Sequence, residues 1–276
     1  MNSSEQVREC AVCGSFYPSD PAVLKRQVIS FLGTGPEESE VGSVRGLLSP
    51  HAGYEYSGQT AGAVYRRLRG TRYGTVVVVS PSHREFFDGI SLYSGDAYAT
   101  PLGRVRVNAD LREKLLASCP HARSSEEGHG EEHAIEVQLP FLQEVLKEFT
   151  ILPIVMGHQK REYCYSLGEA LGKTLKDENA LLVASTDLSH YHPAKDADRL
   201  DSVFIEDVKN ADYGQLMDDL EDNKTEACGG GPTVAVLIAL HTLKATRVKV
   251  VHHCNSGDVT GDRGSVVGYL AAVAYA

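Results

Sequence analysis

The chain has 276 residues, of which 42% are hydrophobic and 23% are charged, so a globular fold is expected and disorder is excluded. A formal charge of -10, without a block rich in lysine or arginine, argues against a nucleic-acid partner because phosphate backbones would be repelled. No apolar run approaches the ~20 residues that span a bilayer, and the first ten residues lack the apolar core of a secretory signal. We therefore expect a cytoplasmic protein without a membrane partner, folded as one domain over residues 1–276.

Short β-rich runs alternate with longer helical patterns along the chain. Strands are predicted at residues 44–49, 75–80, 150–156, 180–185, 247–252 and 265–271. Helices are predicted at residues 21–32, 57–69, 109–118, 133–148, 162–176, 197–210, 214–222 and 233–243. Most of the strands are continuous apolar runs, which is typical of strands that helices cover on both faces. The order therefore predicts an α/β fold, a three-layer α/β/α sandwich with a largely buried sheet.

Three features depart from this alternation. Aromatic and β-branched residues within 89–108 predict a hairpin or meander, and hence a mixed sheet. Residues 33–42 and 123–132 are predicted to be polar loops.

The six cysteines are scattered too widely for a disulfide-stapled small domain, so we expect free thiols. The spacing of Cys10 and Cys13 is only a weak indication of a metal or redox site.

Histidine, aspartate and cysteine are concentrated at the ends of several predicted strands. In open α/β sheets, ligands bind outside the carboxyl ends of the strands, so these side chains are expected to converge on one pocket. One such histidine alone is more typical of a structural residue, but repetition at successive strand ends favours two imidazoles that hold a divalent metal ion with an anionic third ligand. The residues concerned are His51, His83, Asp187, His190, His192, His252, His253, Cys254 and Asp258.

Cys228 is the strongest candidate for the third ligand. It lies in a glycine-rich stretch directly before the apolar helical run at residues 234–243, and a helix N-terminus favours the thiolate form that binds metals. A buried, inert cysteine beside the entry of a helix, with Pro232 in its first turn, explains the same pattern equally well.

A second cluster surrounds His133. If a helix begins near Glu132, then His133 and Glu136 are i, i+3 neighbours, and the carboxylate orients the imidazole or shuttles protons with it. An acidic first helical turn, stabilised by the helix dipole, is the alternative interpretation of Glu131 and Glu132, but it leaves the histidine unexplained.

Seven short blocks, in the same order along nearly the whole chain, resemble the Memo family, which is called AmmeMemoRadiSam system protein B in prokaryotes. Each block alone is weak evidence, whereas all seven together are specific. They are Cys13-Gly14-Ser15-Phe16-Tyr17-Pro18, Pro50-His51-Ala52-Gly53-Tyr54, Pro81-Ser82-His83, Glu132-His133-Ala134-Ile135-Glu136, Asp187-Leu188-Ser189-His190, Cys228-Gly229 and Asn255-Ser256-Gly257-Asp258.

The resemblance implies a fold similar to the class III extradiol dioxygenases, which are non-haem iron enzymes. It also implies that His51, His83 and Cys228 match the metal ligands of the family, and that His133, Asp187 and His190 line the same pocket. The dioxygenases have a carboxylate as the third ligand, so Cys228 is a departure from them that changes the electronics of the iron. Partners that the resemblance implies are AMMECR-like and radical-SAM proteins.

These expectations lead to three hypotheses about function. The first is a non-haem iron oxidoreductase with Fe(II) on His51, His83 and Cys228, in which His133, Asp187 and His190 handle protons. The second keeps these ligands but uses zinc or iron to activate water for hydrolysis, and copper is a further metal that the site could hold. The third is a non-catalytic module whose pocket binds a small molecule, a peptide or a protein.

Overall fold

The computed structural model describes residues 5–33 and 42–276, so the interior of the predicted loop at residues 33–42 lies outside the described part of the chain. The helices within these ranges are α1 Pro21–Leu32, α2 Tyr54–Tyr65, α3 Ala109–Ser118, α4 Leu139–Val145, α5 Arg161–Thr174, α6 Ala194–Lys209, α7 Tyr213–Glu221, α8 Gly230–Thr242 and α9 Ser256–Thr260. No helix among them is both long enough and apolar enough to cross a membrane.

The strands form one large sheet and one small sheet. They are β1 Val7–Arg8, β2 Val44–Ser49, β3 Thr75–Pro81, β4 Ile90–Tyr93, β5 Ala97–Thr100, β6 Gly103–Arg106, β7 Ala122–Ser125, β8 Thr150–Met156, β9 Ala180–Ser185, β10 His190–His192, β11 Arg247–Asn255 and β12 Val266–Tyr275. Over the described residues, nine strands make the large sheet in the order β10-β12-β2-β9-β3-β8-β4-β7, with β11 paired to β12, and β1-β5-β6 make the small one.

The large sheet is mixed, as predicted. Its four central strands, β2, β9, β3 and β8, run parallel to one another, whereas β12 and β4 are antiparallel to the central strands beside them. The carboxyl ends of the four central strands therefore lie at the same edge of the sheet. β5 and β6 form the predicted hairpin, but in the small sheet.

The apolar residues of the central strands alternate between two cores, one on each face of the sheet. Leu48, Val77 and Val79 pack with α5 and α8 on one face. Leu47 and Val76 face the other core, which contains buried residues of α1, α2 and α4. The continuous apolar runs are explained by this double burial, and the predicted α/β/α sandwich is confirmed.

The predicted helix at residues 133–148 is wrong at its start. Helix α4 begins at Leu139 after a 3-10 turn at Glu136–Gln138. The carboxylate of Glu132 accepts the backbone N–H groups of His133 and Ala134 at 2.9 Å each, and these bonds hold the segment in a turn. Pro140, in the first turn of α4, is well placed to begin a helix there because its missing N–H costs nothing at that position.

Candidate metal centre

The three predicted metal ligands come together at the carboxyl edge of the central strands. His51 follows β2, His83 follows β3, and Cys228 lies in the turn that leads into α8. One donor atom from each residue lies within 4.8 Å of the others. A methyl group at the next residue, Gly229, would come within 2.3 Å of the carbonyl oxygen of Ser185, so the absence of a side chain there lets the Cys228 turn approach β9.

Hydrogen bonds determine which nitrogen of His51 faces Cys228. Ser185 Oγ donates to the carbonyl oxygen of Ala134 at 2.7 Å, so it can only accept from His51 Nδ1, which lies 2.9 Å away. His51 therefore carries its proton on Nδ1 and points an unprotonated Nε2 at Cys228 Sγ, at 3.1 Å. Burial lowers the pKa of His51 well below its usual value, so the ring is neutral and available as a ligand.

His83 is oriented by a buried carboxylate. Its Nδ1 lies 3.0 Å from Glu132 Oε1, and its backbone N–H donates to Glu132 Oε2 at 2.5 Å. Burial raises the pKa of Glu132, but the hydrogen bonds and charge of His83, with the charge of His133, outweigh it and lower the pKa to about 2. An ionised carboxylate on Nδ1 leaves Nε2 of His83 free to bind a metal ion, as is usual for histidine ligands.

Cys228 and Asp187 are linked through the backbone. The N–H of Asp187 donates to Cys228 Sγ at 3.2 Å, and Asp187 Oδ1 accepts the backbone N–H of His51 at 2.8 Å. Burial, and then the carboxylate of Asp187, raises the pKa of the Cys228 thiol above its usual range. Burial outweighs the hydrogen bonds of Thr186 and of the Gly229 backbone, which lower the pKa, so the metal-free residue is a thiol and not the thiolate expected at a helix N-terminus.

His133 and His190, the other two predicted pocket residues, also lie at this site. The ring of His133 is 4.7 Å from that of His83 and 5.3 Å from that of His51, between centroids. His133 Nδ1 is buried and, over the described residues, has no hydrogen-bond partner, since its 3.3 Å approach to Glu132 Oε1 has unsuitable geometry. His190 Nδ1 lies 2.7 Å from the carbonyl oxygen of Leu188.

A cavity of about 620 Å³ opens beside these residues. His51, His83, His133, Asp187 and His190 all contribute to its wall. Phe16 lines the same cavity and packs against His133 with ring centroids 4.8 Å apart. The cavity therefore gives a small molecule access to the imidazoles and the carboxylate.

The carboxylate that orients His83 was not predicted from the sequence. Glu136 was expected to contact His133, but it accepts hydrogen bonds from Arg8, Tyr17 and the backbone of residues 11 and 12. The i, i+3 geometry that would pair Glu136 with His133 needs a helix at residue 133, and the chain forms a turn there instead. Glu132 takes the orienting role because the turn folds its side chain back onto His83.

The histidines of β11 were expected in the same pocket, and this prediction is wrong. His252 and Cys254 lie within the strand and not beyond its end, and each contacts Thr60 Oγ1 of α2, at 2.9 Å and 3.1 Å. His253 lies 3.6 Å from Asp201. The pocket is instead lined by Ser256, the first residue after β11.

The expectation of six free thiols is also wrong, because Cys10 and Cys13 form a disulfide. Their Cα atoms lie 5.8 Å apart, which is the usual separation for a disulfide. The bond closes the turn that leads to Phe16 in the cavity wall.

His129, a buried histidine beside the site, makes the stability of the folded protein depend on pH. It is fully buried between the hydroxyl of Tyr98, 2.6 Å from Nδ1, and the carbonyl oxygen of Ser91, 3.2 Å from Nε2. Burial lowers the pKa of His129 to about 3. Between pH 6.5 and 3 the unfolded chain therefore binds a proton that the folded protein does not, so stability falls as the pH falls through this window.

Lowering the pH from 7.5 to 5.5 should therefore cost about 1.4 kcal/mol of unfolding free energy through His129 alone. Urea unfolding of the metal-free protein at both pH values measures the total loss. We expect His129→Gln to reduce that loss by about this amount, and His241→Gln, at an exposed histidine, to leave it unchanged. An equal pH dependence in the wild type and His129→Gln would contradict the prediction.

Comparison with known proteins identifies the family of the chain. The profile of the family described as "Memo-like protein" matches residues 8–273. A "MEMO1 family protein" of Aquifex aeolicus is 41% identical over 269 residues, which cover 97% of this chain and 99% of the relative. Another, from Methanothermobacter thermautotrophicus, is 35% identical over 272 residues, which cover 95% of this chain and 98% of the relative.

Among solved structures, an uncharacterized protein, JW3007 from Escherichia coli K12, has a similar fold. Its TM-score is 0.55 at 18% identity, with 85% of this chain and 100% of that chain covered. This likeness supports the fold alone, whereas the match to the family profile and to the relatives extends over almost the entire sequence. The chain therefore belongs to the Memo family.

Proposed function

We propose that the chain is an iron(II)-dependent oxidoreductase whose metal ion is held by His51, His83 and Cys228. The observation that carries this proposal is the convergence of one donor atom from each residue within 4.8 Å. Two imidazoles and a thiolate beside an open cavity leave coordination positions for a substrate, which is typical of non-haem iron sites. Zinc and copper also accept these donors, so the identity of the metal has to be measured.

The donor atoms fit such an ion. A thiolate sulfur and an imidazole nitrogen that hold the same metal ion lie roughly 3 to 4 Å apart. The separation between Cys228 Sγ and His51 Nε2 is 3.1 Å. Bound iron would supply a centre for electron transfer and for polarising a substrate oxygen. The positive charge would also stabilise the thiolate that burial disfavours.

Three neighbours are suited to moving protons at the cavity wall. Burial lowers the pKa of His133 to about 4, so this ring is neutral near pH 7 and can accept a proton on its unpartnered Nδ1. The carbonyl of Leu188 holds the proton of His190 on Nδ1, which leaves Nε2 as a base. Burial raises the pKa of Asp187, which favours exchange of a proton between its carboxyl group and a substrate.

Metal reconstitution tests the proposal. Protein purified without oxygen is loaded separately with Fe(II), Zn(II) and Cu(I), and metal content and dioxygen consumption are measured with a panel of small reducing substrates. We expect about one iron per chain, and dioxygen consumption by the iron form that exceeds that of the zinc and metal-free forms at least tenfold. Equal rates in the three forms would contradict an iron-dependent redox function.

The orienting role of Glu132 gives a second test. Glu132→Gln removes the charge that fixes His83, so we expect iron affinity to fall about 10- to 100-fold, as for other groups that orient a metal-bound histidine. The measurement is competition for Fe(II) with a chelator of known affinity. Glu131→Gln, at the exposed neighbouring carboxylate, is the matched control and should bind iron as the wild type does. Unchanged affinity in Glu132→Gln would show that His83 is not a ligand held in this way.

A further inference from the structure

Away from the metal centre, the structure has a row of three cavities at the opposite edge of the large sheet. The central cavity, of about 760 Å³, lies between β6 and the segment that joins α4 to the start of β8. It shares Leu146, Lys147 and Glu148 with a cavity of about 550 Å³ on one side, and Leu102 and Gln143 with one of about 430 Å³ on the other. The three form one elongated groove, which we call the basal groove.

The basal groove is cationic in a chain whose net charge is -10. Its positive side chains are Lys25, Arg72, Arg104, Arg106 and Lys147. Two carboxylates, Glu144 and Glu148, lie among them. Lys25 is paired with Glu144 at 3.6 Å and Arg104 with Glu5 at 3.0 Å.

Three of these cations are available to a ligand. Over the described residues, the side chains of Arg72, Arg106 and Lys147 have no carboxylate within ion-pair distance, and all three residues are exposed. A cluster of unpaired positive charges on an acidic protein attracts anionic groups and repels cationic ones. The charge of the groove therefore selects an acidic ligand.

The shape and the apolar lining favour a peptide over other polyanions. Leu102, Leu146 and Phe149 line the groove between the cations, and side chains that alternate in character along an extended peptide can meet both kinds of surface. The net charge of -10 disfavours a nucleic acid, and a flat lipid surface does not enter a concave groove.

The edge of β6 also faces the groove. β6 pairs with β5 in the small sheet, and directly after β6 an isolated bridge joins Val107 to Ile151 of β8, so within the described chain only the part of this edge before that bridge lacks a second strand. Val107 donates to the carbonyl of Asp96, and the alternation of an antiparallel ladder then turns the backbone N–H and C=O of Arg104 away from β5. An extended peptide in the groove can therefore bond to this backbone as well as to the cations.

We propose that the basal groove binds an extended acidic segment of a partner protein, with carboxylates on Arg72, Arg106 and Lys147 and apolar side chains on Leu102 and Phe149. This interaction is independent of the metal centre. The groove lies at the amino-terminal ends of the parallel strands, whereas the metal ligands follow their carboxyl ends.

The probe is a fluorescein-labelled nine-residue peptide in which glutamate alternates with leucine, and anisotropy measures its binding to the full chain. We expect saturable binding that weakens when salt is raised from 50 to 300 mM, because the contacts are exposed charges. Arg106→Glu with Lys147→Glu should weaken binding at least tenfold. Lys176→Glu, at an exposed lysine outside the groove, should leave binding nearly unchanged.

Two further peptides make the test decisive. The same peptide with lysine in place of glutamate should not bind the wild type but should bind the Arg106→Glu/Lys147→Glu variant, which also shows that the variant is folded. A peptide of glutamates alone should bind at least fivefold more weakly than the alternating one if the apolar lining contributes. The proposal is overturned if the alternating peptide does not bind, if the charge reversals leave its affinity unchanged, or if the all-glutamate peptide binds equally well.

Discussion

Replacing Cys228 by serine is expected to abolish stoichiometric iron binding. A neutral hydroxyl is a much poorer donor than a thiolate, and the variant loses the only anionic member of the proposed ligand set. Removing a group that only orients a ligand lowers metal affinity about 10- to 100-fold. Removing a ligand itself should therefore lower the affinity more than about 100-fold. Metal analysis after anaerobic purification and chelator competition with Fe(II) both measure this loss.

Cys254→Ser is the matched control for this experiment. Cys254 is a partly buried free thiol that contacts Thr60 outside the cavity, so its replacement changes the thiol count without touching the proposed ligands. We expect this variant to bind one iron per chain, as the wild type does. If Cys228→Ser retained full iron occupancy and affinity, Cys228 would be a buried thiol and the metal would have to be held by other residues.

The thiol also predicts that iron affinity rises with pH. Because burial raises the pKa of Cys228, the metal-free protein carries a thiol whose proton must leave when the metal binds. Each unit of pH should then favour binding about tenfold through this proton alone. Chelator competition between pH 6.5 and 8 measures this dependence, and a pH-independent affinity in the wild type would indicate that no thiol proton is released.

The fold could be predicted from the sequence wherever strands are buried on both faces. β2, β8 and β9 have the predicted bounds, because short, mostly apolar runs of six or seven residues are typical of strands that helices cover on both faces. β7 and β10 were missed, since their four and three residues are mostly polar and lie at the two ends of the sheet. Edge strands bury little, so their side chains leave no periodic pattern to read.

The candidate site could be predicted from the sequence only in part, for the same reason. His51 and His83 could be located because they directly follow apolar strands, and parallel pairing brings such positions together. The partner of His83 could not be identified in this way, because Glu131, Glu132 and Glu136 are all near His133 in sequence. Which of them turns inward depends on where α4 begins, and the backbone hydrogen bonds of the turn decide that point.

A buried ion pair explains how the amino-terminal segment is held against the site. Arg8 and Glu136 are 5% and 0% exposed and form a salt bridge with each other. Arg8 also donates to the carbonyl of His129 at 3.0 Å and to that of Glu132. Glu136 accepts the N–H groups of residues 11 and 12 at 2.8 Å and 3.1 Å and the hydroxyl of Tyr17. The pair therefore joins the turn that carries Glu132 to the segment that carries Phe16.

Removing one member of this pair should be strongly destabilising. Glu136→Ala leaves the guanidinium of Arg8 buried without a counter-charge, and we expect the metal-free protein to lose about 3 to 5 kcal/mol of unfolding free energy in urea. The exposed pair between Lys114 and Glu178, at 2.7 Å, is the control, and Glu178→Gln should cost less than about 1 kcal/mol.

The double variant Arg8→Met/Glu136→Gln separates the charge from the other contacts. The double variant leaves no unpaired buried charge. Its loss of unfolding free energy should therefore be smaller, by more than about 1 kcal/mol, than the losses of Arg8→Met and Glu136→Gln added together. It should still bind iron more weakly than the wild type, since Arg8 no longer anchors the carbonyl of Glu132 and His83 is held less firmly. Additive losses, or a cost below about 1 kcal/mol for Glu136→Ala, would show that the amino-terminal segment is held by its apolar contacts, with Phe16 kept against His133 by packing alone.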